Sequence, residues 1–428
     1  MYSDNNLFRF ATKELSQDAI LAWTVNGING QDESLKALGK ALLKAMVGWK
    51  GDIDFSDVVV LRQVKNMDIL ISFMCDGTQH LVIVEDKVGS SVHDNQLERY
   101  TKASTQFIND EEEANHTLLS YDAYSEKIEL HISRESKLHV VYIKTRLVTD
   151  KERFALKRLK ESHSPMIRLL DGKELLDIYG AFHGENAIID MFIEHIEKLQ
   201  RQIEEKEEKL KGNDVNGQCI LELSQTDIGQ WYLMKEMLPT DDKHWRILDY
   251  PSDETEKNQK HTEIDILWND TNGKGGDPYT ELWFWGEACR KSDKGPFYKG
   301  LYWRLDPGYL SLAYYVDYGM RSLGKEGLPA EEKEQLNKCS IIIEEVMRGI
   351  APEIKKVCKL NPVSSHKKNT LLTVYLSERE RPRIESCDLL EFDRLKEFTR
   401  KVHREFVKSF NDTYQDSHPS AIELLEED

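Results

Sequence analysis

The chain of 428 residues is 39% hydrophobic and shows neither a signal-peptide pattern nor an apolar stretch near the ~20 residues of a membrane span, so we expect a cytoplasmic protein of one or two domains. Its net charge of −18 is shared by residues 1–200, with 24 Lys and Arg against 32 Asp and Glu, and residues 201–428, with 34 against 44, so neither half is a basic nucleic-acid-binding module. The six cysteines lie far apart without a Cys-x-x-Cys pair, which predicts neither a zinc site nor a disulfide framework.

The first elements predicted are helical. Leu15, Ala19 and Trp23 lie on one stripe, which is the spacing of a helix that faces a core. A run of Val and Leu further along indicates a strand. The elements predicted are, in order, a helix over residues 12–25, a helix over residues 34–49 and a strand over residues 58–61.

Two strands of one hairpin are predicted next, over residues 67–71 and 81–87, because both segments are rich in Val and Ile. The turn signal between them is Asp76-Gly77, a preferred pair for a two-residue type I′ turn. A longer loop through Gln79 is the alternative. A one-residue slip in register would turn the side chains of a strand to the other face.

The two-residue loop would bring two carboxylates together. Asp68 then falls directly opposite Glu85, and the period of two along a strand puts Lys87 on the same face. Two neighbouring acids repel each other, so we expect a divalent cation between them, and oxygen ligands favour Mg²⁺ or Mn²⁺. The alternative is a solvated edge hairpin with an ordinary Glu–Lys ion pair, but the run 81–84 is apolar on both faces and indicates a central strand.

A helix over residues 92–102 and a strand over residues 138–143 complete this part of the chain. Gln96 and Tyr100 are four residues apart and share one face of the helix. The strand is expected to lie parallel to the strand over 81–87, with the helix in the crossover between them.

The order Asp, then Glu-x-Lys, then a helix with Gln-x-x-x-Tyr resembles the PD-(D/E)xK nuclease superfamily, and the last motif resembles its RecB-like branch. Residues 10–23 also look like the start of an uncharacterised bacterial family within that superfamily. The resemblance covers roughly residues 7–150 and implies an α/β (α+β) fold with a restriction-endonuclease-like αβββαβ core, whose mixed sheet is flanked by helices. We therefore predict a nuclease-like core over residues 1–150.

The resemblance also implies a set of metal ligands. Asp68 and Glu85 would bind the metal through their carboxylates, and the main-chain carbonyl of Asp86 would be a third ligand. Glu14 matches an acidic residue that many members supply as an extra ligand, although Asp18, one turn further along the helix, is an alternative. The cofactor implied is Mg²⁺ or Mn²⁺.

Lys87, Gln96 and Tyr100 are the other catalytic residues that the resemblance implies. Lys87 would orient or help to deprotonate the attacking water and would stabilise the charge that builds on the phosphate. Gln96 and Tyr100 would position the phosphate or a metal-bound water. The superfamily often has Pro before its first Asp, and Met67 stands there in this chain.

Beyond this core, residues 151–211 look helical and end in an amphipathic, highly charged helix, which predicts an extension that serves as a spacer or a homodimer contact. Residues 212–217 give the best domain boundary. A C-terminal α+β domain of unknown role is predicted over residues 218–428, with aromatic residues in its core and a hairpin that contains Asp265. A duplicated nuclease fold, with Cys289 in place of the lysine, is the alternative for that domain.

The leading hypothesis is a Mg²⁺-dependent nuclease with DNA as its expected partner and with no membrane partner. Defence against phage or mobile elements is a role that the family resemblance suggests. The alternative is a catalytically silent module that binds nucleic acid or protein on the same fold. RNA cleavage is an alternative within the enzyme class.

Overall fold

The computed structural model divides the chain into two compact units, Met1–Glu204 and Glu205–Asp428. The structure describes most of both units. The described residues are 5–11, 14–64, 67–88, 115–121, 127–133, 135–149, 152–153, 156–157, 160, 166–211, 215–238, 267–272, 278–292, 295–316, 330–349, 352–361, 368–376 and 390–414.

The first unit opens with two helices, as the sequence predicts. Helix α1 spans Glu14–Asn26 and helix α2 spans Glu33–Val47. Asp32 caps α2, because its side chain accepts hydrogen bonds from two backbone amides of the first turn. The helix ends at Gly48, whose φ of 73° is the left-handed conformation that glycine adopts without strain.

The described residues of the first unit form seven strands after α2, and five of these strands make up one mixed sheet with the order β1-β2-β3-β6-β7. Strands β1, β2 and β3 pair antiparallel, whereas β3 with β6 and β6 with β7 pair parallel. The strands are β1 Ser56–Val64, β2 Met67–Cys75, β3 Thr78–Lys87, β4 Asn115–Tyr121, β5 Lys127–Ser133, β6 Lys137–Lys144 and β7 Met166–Asp171. The unit is therefore α/β with a mixed sheet, and the predicted parallel pairing of the strand near 138–143 with β3 is confirmed.

The turn between β2 and β3 is the two-residue loop that the sequence predicts. Asp76 and Gly77 have φ values of 49° and 73°, both in the left-handed region that a type I′ turn requires. Pairing runs without a shift from Cys75 opposite Thr78 to Ile69 opposite Val84. The longer loop through Gln79 is therefore wrong, and the predicted register is confirmed.

The two faces of the sheet are covered by different elements. Val82 and Val84 belong to a core that includes residues of α1 and α2, so the helices cover that face. Leu81 and Ile83 point the opposite way and pack with residues of β4 and β5. Strands β4 and β5 form a separate two-stranded ribbon that the sequence analysis did not predict.

The prediction that residues 151–211 are helical throughout is wrong, because β7 lies within this stretch and adds a strand to the sheet. Its apolar run is short, and a run of that length is equally consistent with a strand or a buried helix segment. Helix α3 spans Gly172–Gly180 and starts with a capping box between Asp171 and Glu174. Helix α4 spans Ala187–Lys211, so the division between the units falls within α4.

The second unit contains helices and a six-stranded sheet with the order β12-β13-β11-β10-β9-β8, in which every described pairing is antiparallel. Its strands are β8 Leu267–Asn272, β9 Pro278–Ser292, β10 Gly295–Asp306, β11 Tyr309–Val316, β12 Cys358–Leu360 and β13 Lys368–Tyr375. Its helices are α5 Gly217–Ser224, α6 Asp227–Met237, α7 Ala330–Arg348, α8 Pro352–Val357 and α9 Phe392–Tyr414. This sheet differs from the mixed sheet of the first unit, which argues against a duplicated fold.

Aromatic side chains form part of the core of the second unit, as the sequence predicts. Tyr302, Trp303 and Tyr314 are all buried. Asp265 lies outside the described residues. Within the described parts of both units, none of the helices combines the length and the apolar composition that crossing a membrane requires.

Candidate functional site

Three carboxylates surround one ammonium group at the end of β3. The Lys87 Nζ atom lies 2.7 Å from Glu85 Oε1, 3.6 Å from Glu14 Oε2 and 3.9 Å from Asp68 Oδ2. We call these four residues the Lys87 cluster. Its acids come from α1, β2 and β3, so the structure brings together four of the residues that the sequence analysis selected.

Exposure within the Lys87 cluster falls from one side to the other. The Glu85 side chain is fully buried and that of Lys87 is 8% exposed, whereas those of Asp68 and Glu14 are 20% and 38% exposed. A buried charge is costly unless it is paired, and the short contact between Lys87 and Glu85 meets that requirement. The cluster is therefore anchored in the core at Glu85 and accessible to solvent at Glu14.

Lys87 holds its proton in this arrangement. Burial alone lowers the pKa of the lysine, but the hydrogen bond and charge of Glu85, with the charges of Glu14 and Asp68, raise the pKa well above its ordinary value. The side chain is therefore a cation at neutral pH. It can stabilise negative charge, but it is not poised to accept a proton.

The backbone of Asp86 faces the cluster, while its side chain points to the helical face of the sheet. The Asp86 amide donates to Asp68 Oδ2 at 3.0 Å, and the Asp86 carbonyl accepts from Lys87 Nζ at 3.2 Å. The Asp86 carboxylate accepts from Gln17 Nε2, and Gln17 Oε1 in turn accepts from Thr145 Oγ1 at 2.8 Å. This buried chain of hydrogen bonds joins α1, β3 and the residue that follows β6.

Asp18 occupies this helical side rather than the Lys87 cluster. Burial and then the charge of Asp68 raise the pKa of Asp18 to about 6. Burial, with the charge of the neighbouring Asp18, also raises the pKa of Asp86 well above its ordinary value. Of the two acids weighed on the first helix, Glu14 is therefore the one that lies near Lys87.

Gln17 and Gln63 were missed by the sequence analysis. Gln63 Nε2 donates to Asp18 Oδ2 at 3.1 Å and to Asp68 Oδ1 at 3.4 Å. A signal existed for Gln17, because Glu14, Gln17 and Asp18 follow the i, i+3, i+4 spacing of one helix face. No comparable pattern marks Gln63, since its role depends on how β1 pairs with β2.

A second buried lysine lies beside Lys87 in the sheet, because Lys144 of β6 is its partner in the parallel register. Lys144 Nζ donates to Glu152 Oε1 at 2.6 Å, and Tyr142 Oη donates to the same oxygen at 2.7 Å. Glu152 therefore neutralises Lys144. Gln96 and Tyr100 lie outside the described residues, and their roles stay predictions.

The donor set around Lys87 fits a hard divalent cation. Asp68, Glu85 and the Asp86 carbonyl supply only oxygen atoms, and the carboxylates of the cluster outnumber its single ammonium. In the part of the chain that the structure describes, no three His, Cys, Asp or Glu side chains form a group able to hold a metal ion. Mg²⁺ commonly takes only one or two protein carboxylates and keeps several waters.

Comparison of the chain with models of known protein families, with curated proteins and with solved structures found no match.

Proposed function

We propose that the chain is a metal-dependent phosphodiesterase that cleaves nucleic acid, with DNA as the expected substrate. The observation that carries the proposal is the convergence of Glu14, Asp68 and Glu85, from three different elements, on the ammonium of Lys87. Buried charges of this kind are costly to keep in a fold and are typical of functional sites.

The sheet supports the same proposal. An antiparallel hairpin carries Asp68 and Glu85, and its second strand then pairs parallel with β6. This order agrees with the restriction-endonuclease-like core that the resemblance to the PD-(D/E)xK superfamily implies. We propose that the first unit is such a core.

The roles of the residues follow from their positions. Asp68, Glu85 and the Asp86 carbonyl would hold Mg²⁺ or Mn²⁺, which lowers the pKa of a bound water enough to make it a nucleophile near neutral pH. Lys87 keeps its proton and would stabilise the negative charge that develops on the phosphate. Glu14 is the most exposed of the three acids and would add a carboxylate on the solvent side.

The first test is cleavage of linear, circular and single-stranded DNA and of RNA with Mg²⁺ and with Mn²⁺. We expect Lys87→Met, which preserves the aliphatic packing, to slow cleavage by at least ~10²-fold, the usual scale for one electrostatic contributor. Lys36→Ala removes a lysine of α2 and should leave the rate unchanged. A folded Lys87→Met protein that cleaves at the wild-type rate would contradict this mechanism, and a wild type that cleaves no substrate would favour a silent binding module.

The second test is calorimetric titration with Mn²⁺, in which Asp68→Asn should lose the site. In EDTA the same variant should melt at the wild-type temperature or above it, because one of several neighbouring acids no longer contributes like-charge repulsion. A large loss of stability in EDTA would instead indicate that Asp68 serves a structural ion pair.

A further inference from the structure

Gln63 has a backbone conformation that side chains rarely adopt. Its φ is 52°, in the left-handed region, and it lies near the end of β1. Pairing of Arg62 with Ile69 and of Val64 with Met67 puts Gln63 opposite Asp68 in the β1–β2 hairpin. A glycine would relieve the backbone strain at this position, yet the chain carries a glutamine.

The side chain of Gln63 makes two hydrogen bonds that offset the cost of its strained backbone. Its amide nitrogen lies between two acids and donates to one oxygen of Asp18 and one oxygen of Asp68. The amide is neutral, so it can hydrogen-bond both carboxylates without pairing with either as a charge.

Asp68 is consequently held on both of its oxygens. Oδ1 accepts from Gln63 on one neighbouring strand, and Oδ2 accepts from the backbone amide of Asp86 on the other. The backbone amide belongs to the sheet itself, whereas the Gln63 contact depends on one side chain. Of the two hydrogen bonds that orient Asp68, the one from Gln63 is therefore the one that a substitution can remove.

We propose that Gln63 is a positioning residue, which orients Asp68 toward a divalent cation in the Lys87 cluster and is retained despite its strained backbone for that reason. The inference rests on the proposed function. Strained backbone persists where the surrounding structure requires it and concentrates at functional sites. Groups that hydrogen-bond a metal ligand typically change metal affinity 10–100-fold when they are removed, which is about the size expected for Gln63.

Asp57 provides a matched control within the same strand. It also has a left-handed backbone, with φ of 51°. Asp57 lies six residues before Gln63 in β1, and its side chain is exposed. The pairing of β1 with β2 is irregular at this point. Gln63→Gly and Asp57→Gly both remove a side chain and both relieve backbone strain. Asp57→Gly should therefore melt in EDTA at the wild-type temperature or above it. Gln63→Gly also loses its hydrogen bonds to Asp18 and Asp68, which offset the relieved strain, so it should melt close to the wild-type temperature.

The two variants should differ in binding of Mn²⁺ measured by calorimetry. Gln63→Gly should weaken the dissociation constant by about 10-fold or more, and Asp57→Gly should leave it unchanged. Gln63→Asn keeps an amide and tolerates left-handed backbone, but it is one methylene shorter and should fall between wild type and Gln63→Gly. In a cleavage assay the defect of Gln63→Gly should be large at low Mn²⁺ and small at saturating Mn²⁺.

The inference is overturned if wild type and Gln63→Gly bind Mn²⁺ equally, or if Asp57→Gly loses as much affinity as Gln63→Gly. Either result leaves the proposed function standing, because wild type still binds the metal. A wild type that binds no Mn²⁺ would overturn the proposed function and this inference together.

Discussion

Strand β3 has buried ionisable side chains at both of its ends. The side chains at one end are charged and those at the other end are neutral. Lys87 and Glu85 at one end form a short ion pair. His80 at the other end lies 3.0 Å from His139 of β6, ring nitrogen to ring nitrogen, and both rings are buried against Trp49. Burial, followed by the charges of His80 and Lys137, lowers the pKa of His139 to about 4. The fold therefore holds this pair neutral.

The first prediction is that the histidine pair destabilises the protein in acid. In the unfolded chain His139 binds its proton below pH ~6.5, whereas in the fold it binds only near pH 4, so the unfolded state holds more protons between these values. The contribution of His139 to the free energy of unfolding is therefore complete above pH ~6.5 and decreases as the pH falls toward 4. For a pKa shift of this size the decrease is up to ~3 kcal/mol.

The carboxyl pair of Asp18 and Asp86 acts with the opposite sign, because raised pKa values favour the fold as the pH falls. A variant comparison separates the two effects. The free energy of unfolding of wild type, relative to that of His139→Gln, should fall between pH 7 and pH 4.5. The exposed residue His183 serves as the control, since His183→Gln should keep the wild-type dependence. A constant difference between wild type and His139→Gln over this range would contradict the prediction.

At the scale of elements, the sequence predicted what is local and missed what depends on distant pairing. The Asp76-Gly77 turn specifies its hairpin within a few residues. The strand register that places Asp68 opposite Glu85 could therefore be predicted from the sequence. The short strand β7 and the β4–β5 ribbon were not, because each is stabilised by contacts with remote segments. Gln63 was missed for the same reason, since its role requires a particular pairing and an unusual backbone angle.

The second prediction concerns the turn that sets this register. Gly77 has φ of 73° and no atom within 4 Å of an added Cβ, so Gly77→Ala should cost about 1 kcal/mol through backbone conformation alone. Gly180 at the end of α3 has equally open space without a left-handed backbone, and Gly180→Ala should be neutral or stabilising by about 0.5 kcal/mol. Urea denaturation measures both changes. Equal effects of the two substitutions would show that the turn conformation does not control stability.

At the scale of the whole molecule, two units each have a sheet and a core of their own. The first is built on a mixed sheet, and the second on a sheet whose described pairings are all antiparallel. The residues proposed for chemistry belong to Met1–Glu204, and Glu205–Asp428 supplies none of them. Two separate cores are the condition under which unfolding departs from a single cooperative transition.

The third prediction is that calorimetry resolves two unfolding transitions. Gly77→Ala should lower the temperature of one transition. Gly229→Ala should lower the temperature of the other transition. A Cβ at Gly229 of α6 would lie 2.1 Å from the carbonyl oxygen of Leu223 of α5, which is too close. One transition that both substitutions displace equally would show instead that the units unfold as one.

The crossover between β3 and β6 has a consequence for how the protein folds. A loop of two residues joins β2 to β3, whereas residues 88–136 separate β3 from β6, its parallel partner. Hairpins form within microseconds, and parallel pairing waits on the slower closure of a long loop. Until then, the apolar β3 has an open edge that can pair with another chain. Refolding yield should therefore decrease steeply as protein concentration rises, with the edge of β3 as the site of association.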